Sequence, residues 1–525
     1  MTGRELFRCN HFEPPRRAWM ANRRQNDEPM YVQIAESIRR DIDSGRFQVG
    51  ARLAGSRSMA VALGVSRTVV LMAYDQLESE GYLESRSGSG SYVSTRPAGV
   101  FACETFVEEQ VEAPGNPRLS RLARRAVLPA VPEADLPAPG AEVIEADVID
   151  LAQPRVKSDP RSLKAWVQNL MALLRRRDAP DFPELQGAVD LRKAVAGYLS
   201  VERAIEVDPD DILIVSGAQQ ACDLIARVLL DEGDGVGVEE PCHWSVRHTY
   251  EAMGARIVPC QVGPHGLDID RHAAALDGVR LVNVAPSFQF PTGVVMPEER
   301  RRALLQWAYA HDACLVEDDF DCEHRFGVRT SPSLWSLDRH GRVIHVSSFA
   351  RSMFPALQLG YMLVPRPLRE RFLAVKWLAD RGSMSMQQHV LAACITSGQY
   401  LRDLRRIAHR LAPRHRALHD ALQVRLGSAM AVTGSVAGGS LFVHLSRLPR
   451  SATGTLMAEA LARGVRIRSA ERFHRMPPAH VTLVLSYAGL SEASLKRAGA
   501  RLAEACLAVE KGVNRIDVRN NLTAL

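Results

Sequence analysis

Apolar residues at Tyr31, Ile34, Ile38 and Ile42 recur at spacings of three and four, which predicts an amphipathic helix that Gly45 ends. Ser56 can cap a second, shorter helix whose inner face is Met59, Ala60 and Leu63, with Gly64 as the turn beyond it. Ser66 can cap a third, with Val69, Val70, Ala73, Tyr74 and Leu77 inward and Gly81 at its close. Tyr82 and Leu83, a turn from Ser87 to Gly90, then Tyr92 and Val93 predict a small hairpin.

The pattern changes from Val148 to about Ala508. Short β-prone runs at 212–215, 236–238, 257–258, 281–284, 315–316, 343–346 and 361–364 alternate with helical stretches, which implies an α/β domain with a mostly parallel sheet between helices. Beyond Leu373 the reading is more helical and predicts a smaller C-terminal subdomain. The expected divisions are a disordered arm at 1–28, a winged helix-turn-helix at 29–94, a Pro-, Ala- and Glu-rich linker at 95–146, the α/β domain at 147–510, and a tail at 511–525. Within that domain the large part is expected at about 195–372 and the C-terminal subdomain at about 373–510.

A chain of 525 residues exceeds what one hydrophobic core supports, so at least two domains are required. A hydrophobic share of 46% and a charged share of 24% exclude extensive disorder, and a net charge of +6 permits a polyanionic partner without demanding one. The nine cysteines include no CxxC pair, which argues against a zinc ribbon or a disulfide scaffold and fits a reducing cytosol. No apolar run matches a signal peptide or a membrane span, so a soluble, cytoplasmic protein is expected.

The order helix, helix, turn, helix, hairpin, carried by PMYVQIAESIRRDIDSGRF and GARLAGSRSMAVALGVSRTVVLMAYDQLESEGYLESRSGSGSYV, resembles the GntR family of bacterial regulators. A recognition helix starting at Ser66 would point its amide-rich start toward a DNA backbone, with Arg67 and Thr68 in reach of phosphates or base edges. Arg57 would position the module, and the turn containing Gly88 and Gly90 would let a wing enter the minor groove. The family's usual proline and polar residue are replaced by Ala54 and Gly55, which predicts a looser approach to the second helix.

The second domain resembles fold type I aminotransferases, and in particular those fused to GntR modules in the MocR subfamily, through SGAQQACDLIARVLLDEGD, PSFQFPTG, VEDDFDCEHRF and SSFARSMFPALQLGY. That resemblance implies pyridoxal 5′-phosphate as cofactor. Its phosphate would be held by Gly217, Ala218 and Gln219 at a helix start, and its ring nitrogen would pair with Asp318. Ser348 is retained at another family position. Arg351, however, stands where the family's Schiff-base lysine belongs, and a guanidinium offers no deprotonatable amine, so covalent attachment is not expected there. Gln358 stands for the family's phosphate-pairing arginine, Phe320 and His243 for tyrosines near the ring, Phe288 for a histidine and Val484 for the arginine that grips a substrate carboxylate. The nearest lysines, Lys193 and Lys376, fall elsewhere. A metal site among Glu317, Asp318, Asp319 and Asp321 is disfavoured, because adjacent residues on a strand point opposite ways.

These readings lead to a DNA-binding transcriptional regulator, expected to be a homodimer, whose aminotransferase-like domain serves dimerisation and effector sensing without catalysis. The competing reading is an active or residual pyridoxal-phosphate aminotransferase that also binds DNA. Whether the pocket holds the cofactor non-covalently, with Arg351 on its phosphate, or another small anion, or nothing stays open at this stage.

Overall fold

The computed structural model describes residues 29–86, 89–94, 119–126, 148–153, 160–175, 183–319, 331–350, 352–434 and 438–523. Internal contacts divide the chain into two units, Met1–Arg118 and Leu119–Leu525.

In the first unit α1 (Met30–Asp43), α2 (Ser56–Leu63) and α3 (Arg67–Ser79) pack around Ile34, Ile38, Met59, Leu63, Val70 and Leu77. The antiparallel hairpin of β1 (Leu83–Arg86) and β2 (Gly90–Val93) closes that core with Leu83 and Val93, which are register partners. Gly64 turns the chain at φ 68° between α2 and α3. Ser56 does not cap α2 as expected: it is the first helical residue, and Gly55 holds the cap position without a side-chain bond. The approach is nonetheless fixed, because the Tyr74 hydroxyl donates to the Ala54 carbonyl at 2.8 Å. Val69 is only half-buried, since it lies at the edge of the inward face.

The second unit starts with a short helix, α4 (Arg121–Arg125), inside the stretch read as linker. β3 (Ile149–Asp150), α5 (Pro160–Leu174) and α6 (Val189–Arg203) follow. The central sheet contains β4 (Ile212–Val215), β5 (Gly235–Glu240), β6 (Arg256–Gly263), β7 (Gly266–Leu267), β8 (Val279–Val284), β9 (Cys314–Asp318), β10 (Val343–Ser348) and β11 (Gly360–Leu363), in the order β4-β11-β10-β9-β8-β5-β6-β7. β6, β5, β8, β9 and β10 are mutually parallel; β11 is antiparallel to both β10 and β4, so β4 runs with the parallel set. The carboxyl ends of β4, β5, β8, β9 and β10 therefore open on one side, where α/β sheets bind ligands. α7 (Gly217–Leu229) leaves the end of β4, and α8 (Trp244–Met253) follows β5.

The C-terminal subdomain is largely helical, as expected, but also carries strands. β12 (Met430–Thr433), β13 (Ser440–Pro449) and β15 (His480–Ser486) form an antiparallel sheet against the helices Gln399–Leu426 and Glu492–Thr523, and β14 (Val465–Arg466) pairs with β3. Leu441, Val443 and Leu445 alternate along β13 and are buried in that core, so the period of two was present in the sequence beneath a stronger helical signal. Among the described residues no single helix is long and apolar enough to cross a membrane.

Candidate DNA-binding face and ligand cavity

The start of α3 is built for outward contact. Ser66 caps it, accepting from the Val69 amide at 3.4 Å. Ser66, Arg67, Thr68 and Arg57 are all exposed, and Arg67 Nε donates to Ser56 Oγ at 3.2 Å, which ties the first turns of α2 and α3 together. On the hairpin, Gly90 has φ 107°, and a Cβ there would sit 3.4 Å from Arg52 Nε, so Arg52 lies along the wing's backbone. Arg86 stacks over the Tyr92 ring at 4.6 Å. The sequence reading passed over Arg52 and Arg86, although cations flanking a Gly-containing hairpin turn are a visible signal. Gly88 lies outside the described residues.

In the second unit, a cavity of about 470 Å³ opens where the strand ends converge. Gly217, Ala218, Gln219, His243, Asp318, Ser348 and Gln358 all line it. Arg351 and Phe320 lie outside the described residues. Val484 is not in its lining: it is buried with Phe442, Ala470 and Phe473 in an apolar cluster against which Trp244 and Phe290, themselves cavity residues, are packed. Phe288 also stays out of the lining, buried against Gly438 and Gly293. Lys376 lies elsewhere in the core, paired with Asp380 at 2.6 Å.

Each predicted lining residue is placed by an element end. Gly217, at φ 80°, starts α7 directly after β4, and the first amides of a helix have no partner within it. Gln358 takes up φ 49° beside Gly217. His243 caps α8, accepting from the Ser245 amide at 3.3 Å and lying 2.7 Å from the Ser245 hydroxyl, with its ring stacked on Trp244. Ser348 ends β10 and accepts from the Ala350 amide at 3.3 Å.

The alternation of β9 sorts its acids. Asp318 faces the cavity, whereas Glu317 and Asp319 enter the core on the other side. Glu317 accepts from the Leu334 and Trp335 amides at 2.9 and 3.1 Å and lies 3.1 Å from His345 Nδ1; Asp319 pairs with Arg203 at 2.6 Å. Burial alone would raise the Glu317 pKa, yet the bond to His345 holds it below its ordinary value; burial would lower that of His345, yet Glu317 raises it. Each of the two favours the charged form of the other. Among the described residues no group of three or more His, Cys, Asp or Glu is arranged to hold a metal ion.

Glu239, Asn283, Trp244 and Ser347, which the sequence reading did not name as site residues, also line the cavity, as does Phe290. Glu239 and Asn283 lie on strands that the sequence reading had located, so the positions nearest each strand's carboxyl end were the available signal. Glu239 Oε2 accepts from the Ala285 amide at 3.1 Å and from Gln289 Nε2 at 3.3 Å, while its Oε1 and the Ser347 hydroxyl are buried without a hydrogen-bond partner. Burial pushes the Glu239 carboxyl up to about 7.

Two family models match the chain: bacterial regulatory proteins of the gntR family over residues 30–93, and aminotransferase class I and II over residues 146–502. The probable rhizopine catabolism regulatory protein MocR of Rhizobium meliloti is 33% identical over 93% of this chain and 96% of its own length. The chain belongs to the MocR-type regulators. Like others with this pairing of modules, it is a DNA-binding transcriptional regulator with an aminotransferase-like domain. Another relative, the HTH-type pyridoxine biosynthesis transcriptional regulator PdxR of Corynebacterium glutamicum, is 28% identical over 90% of this chain and 95% of its own. Among solved structures, kynurenine aminotransferase of Pyrococcus horikoshii in complex with PMP superposes with a TM-score of 0.63 at 25% identity, over 69% of this chain and 91% of that one. The α-aminoadipate aminotransferase LysN of Thermus thermophilus, complexed with N-(5′-phosphopyridoxyl)-L-leucine, gives 0.62 at 25% identity over 69% and 93%. The fold of the MocR-type regulator's large unit is thus that of fold type I aminotransferases, and its resemblance is to a family of pyridoxal-phosphate proteins.

Proposed function

We propose that this regulator is a cytoplasmic homodimer that reads an operator through Ser66, Arg67 and Thr68, with Arg57 on the phosphates and the Gly90 wing beside them, and that its large domain senses pyridoxal 5′-phosphate or a close relative without bonding to it covalently. The carrying observation is the convergence, in one cavity of about 470 Å³, of the α7 amide start, Asp318 and two buried polar atoms without partners, Glu239 Oε1 and Ser347 Oγ. Those residues suit the group. The amides of Gly217, Ala218 and Gln219 favour an anion at the positive end of a helix, and Asp318 favours a protonated ring nitrogen. When bound, the cofactor would supply an electron-deficient ring. The protein's part is to grip phosphate, hold a proton at the ring nitrogen and exclude water with Trp244 and Phe290.

Arg351 in place of lysine, read from the sequence, is what removes covalent attachment and with it transamination. The name of PdxR supports a vitamin B6 compound as effector. The dimer reading is supported by α5, where Leu163, Val167, Met171 and Leu174 form a stripe at spacings of four, four and three, each 41–53% exposed.

Titration of the full-length protein with pyridoxal 5′-phosphate tests the sensing reading. Binding to the native state at 100 times Kd raises stability by about 2.7 kcal/mol, so a thermal shift is expected without a borohydride-fixed adduct. A fixed adduct would establish covalent attachment and return the enzyme reading; no shift with any vitamer would remove the sensing role.

A further inference from the structure

A lysine with no exposed surface needs a reason. Lys376, on the helix Arg366–Asp380, is 0% exposed, and its ammonium spends its donors on Asp380 Oδ1 at 2.9 Å, Asp380 Oδ2 at 2.6 Å and Ser383 Oγ at 2.9 Å. Burial lowers its pKa and Asp380 opposes that fall. Asp380, which burial alone would raise, is held below the ordinary carboxylate range by Lys376, Gln220 and the Gly382 amide. Each partner thus favours the other's charged form. Ion pairs in such places seldom add net stability, so a hydrophobic pair would serve folding as well.

What the pair does hold is Gln220. Asp380 Oδ2 accepts from Gln220 Nε2 at 2.8 Å, and Gln220 Oε1 in turn accepts from the Ser216 amide at 2.7 Å. Ser216 is the residue from which α7 departs, and its side chain makes no cap bond. The reach of Gln220 back to Ser216 engages the amide of the residue ahead of the helix, as the reciprocal bond of a capping box does, and so fixes where α7 starts. A carboxylate acceptor fixes which end of the Gln220 amide faces which partner, since only the NH₂ can donate to it.

We propose that Lys376, Asp380 and Gln220 form a strut, rooted in the buried Lys376, whose work is to position the Gly217–Gln219 amides for a phosphate group. The proposal rests on the anion-cradle reading of the cavity. It makes these three positioning residues, since Gln220 acts through the Ser216 backbone and neither Lys376 nor Asp380 lines the cavity.

The test compares pyridoxal 5′-phosphate with pyridoxal on the full-length protein, because only the former carries the group the strut serves. Losing one oriented, charge-backed hydrogen bond is expected to weaken pyridoxal 5′-phosphate binding by Gln220→Met about tenfold while leaving pyridoxal within about twofold. Asp380→Asn, which leaves a buried cation facing a neutral amide, should move the same ratio in the same direction by a smaller factor. Equal weakening of both ligands, or a lower melting temperature with an unchanged ratio, would reduce the strut to a structural brace and overturn the proposal. If the unaltered protein itself shows no preference for the phosphorylated ligand, the anion cradle fails and the strut fails with it. Should Gln220→Met not fold, the ratio in Asp380→Asn decides.

Discussion

Gly360 and Gly217 meet backbone to backbone: a Cβ built on Gly360 would lie 3.2 Å from the Gly217 Cα and 2.6 Å from the Ser347 carbonyl oxygen. β11 thus passes directly beneath the start of α7, with no room for a side chain between them. Gly360→Ala must push the helix start away from the sheet, at a cost of about 1–3 kcal/mol. Chemical denaturation should show that loss, and pyridoxal 5′-phosphate should bind more weakly than the stability change alone accounts for.

Glu239 gives the large domain an acid-side preference. Its pKa rises from 4.5 to about 7 on folding, so between those values the native state holds more protons than the unfolded chain, and stability falls as pH rises through the interval. The full effect is of order 3 kcal/mol. His415 works in the opposite sense: burial, then the neighbouring His419, lower it from 6.5 to about 4, so its contribution grows over nearly the same interval. The two contributions therefore oppose each other in the unaltered protein. Glu239→Gln should expose a rise in melting temperature with pH, and a profile that the substitution leaves unchanged would contradict the assignment.

At the DNA face, Arg67→Ala is expected to cost about 1–3 kcal/mol of affinity for a specific operator. Arg57→Ala should weaken binding to all sequences alike and lower the salt slope by about one unit. Ser66→Ala should cost about 1 kcal/mol of stability through loss of the α3 cap. Fluorescence anisotropy over a salt series separates the first two; retained specificity in Arg67→Ala would displace the recognition helix from its assigned role.

The short helix α4 is tied to the large domain by Arg121 and Arg125, both paired with Glu232 beside the end of α8, and Gly254 leaves the space that Arg125 occupies. Because these are exposed pairs, Glu232→Lys should leave the melting temperature of the domain unchanged. It should instead speed hydrogen exchange at residues 121–126 at low salt. Unaltered exchange would mean that apolar contact, not charge, seats α4.

How much of this was legible in advance depended on period and on punctuation. The first unit could be read nearly residue by residue, because Gly64, Ser66 and Gly81 mark its helix ends and Ile34, Ile38 and Ile42 mark its inner face. The seven strand runs of the large domain were legible as apolar β-prone segments, and the SGAQQ turn announced the helix start. The cavity's remaining wall was not, because Glu239, Trp244 and Phe290 become neighbours only when strands distant in sequence lie side by side. β13 and β15 escaped notice because each sits next to a long helical stretch. α4 escaped because a five-residue helix offers too few turns for a periodic signal.

Consecutive residues at the end of β9 answer to different masters. Glu317 and Asp319 are bound into the interior by His345 and Arg203, and they hold the strand in the sheet whatever occupies the cavity. Asp318, between them, faces the cavity instead. A lineage can therefore exchange the cavity-facing side chain of such a strand while the scaffold that presents a regulator's surfaces survives intact.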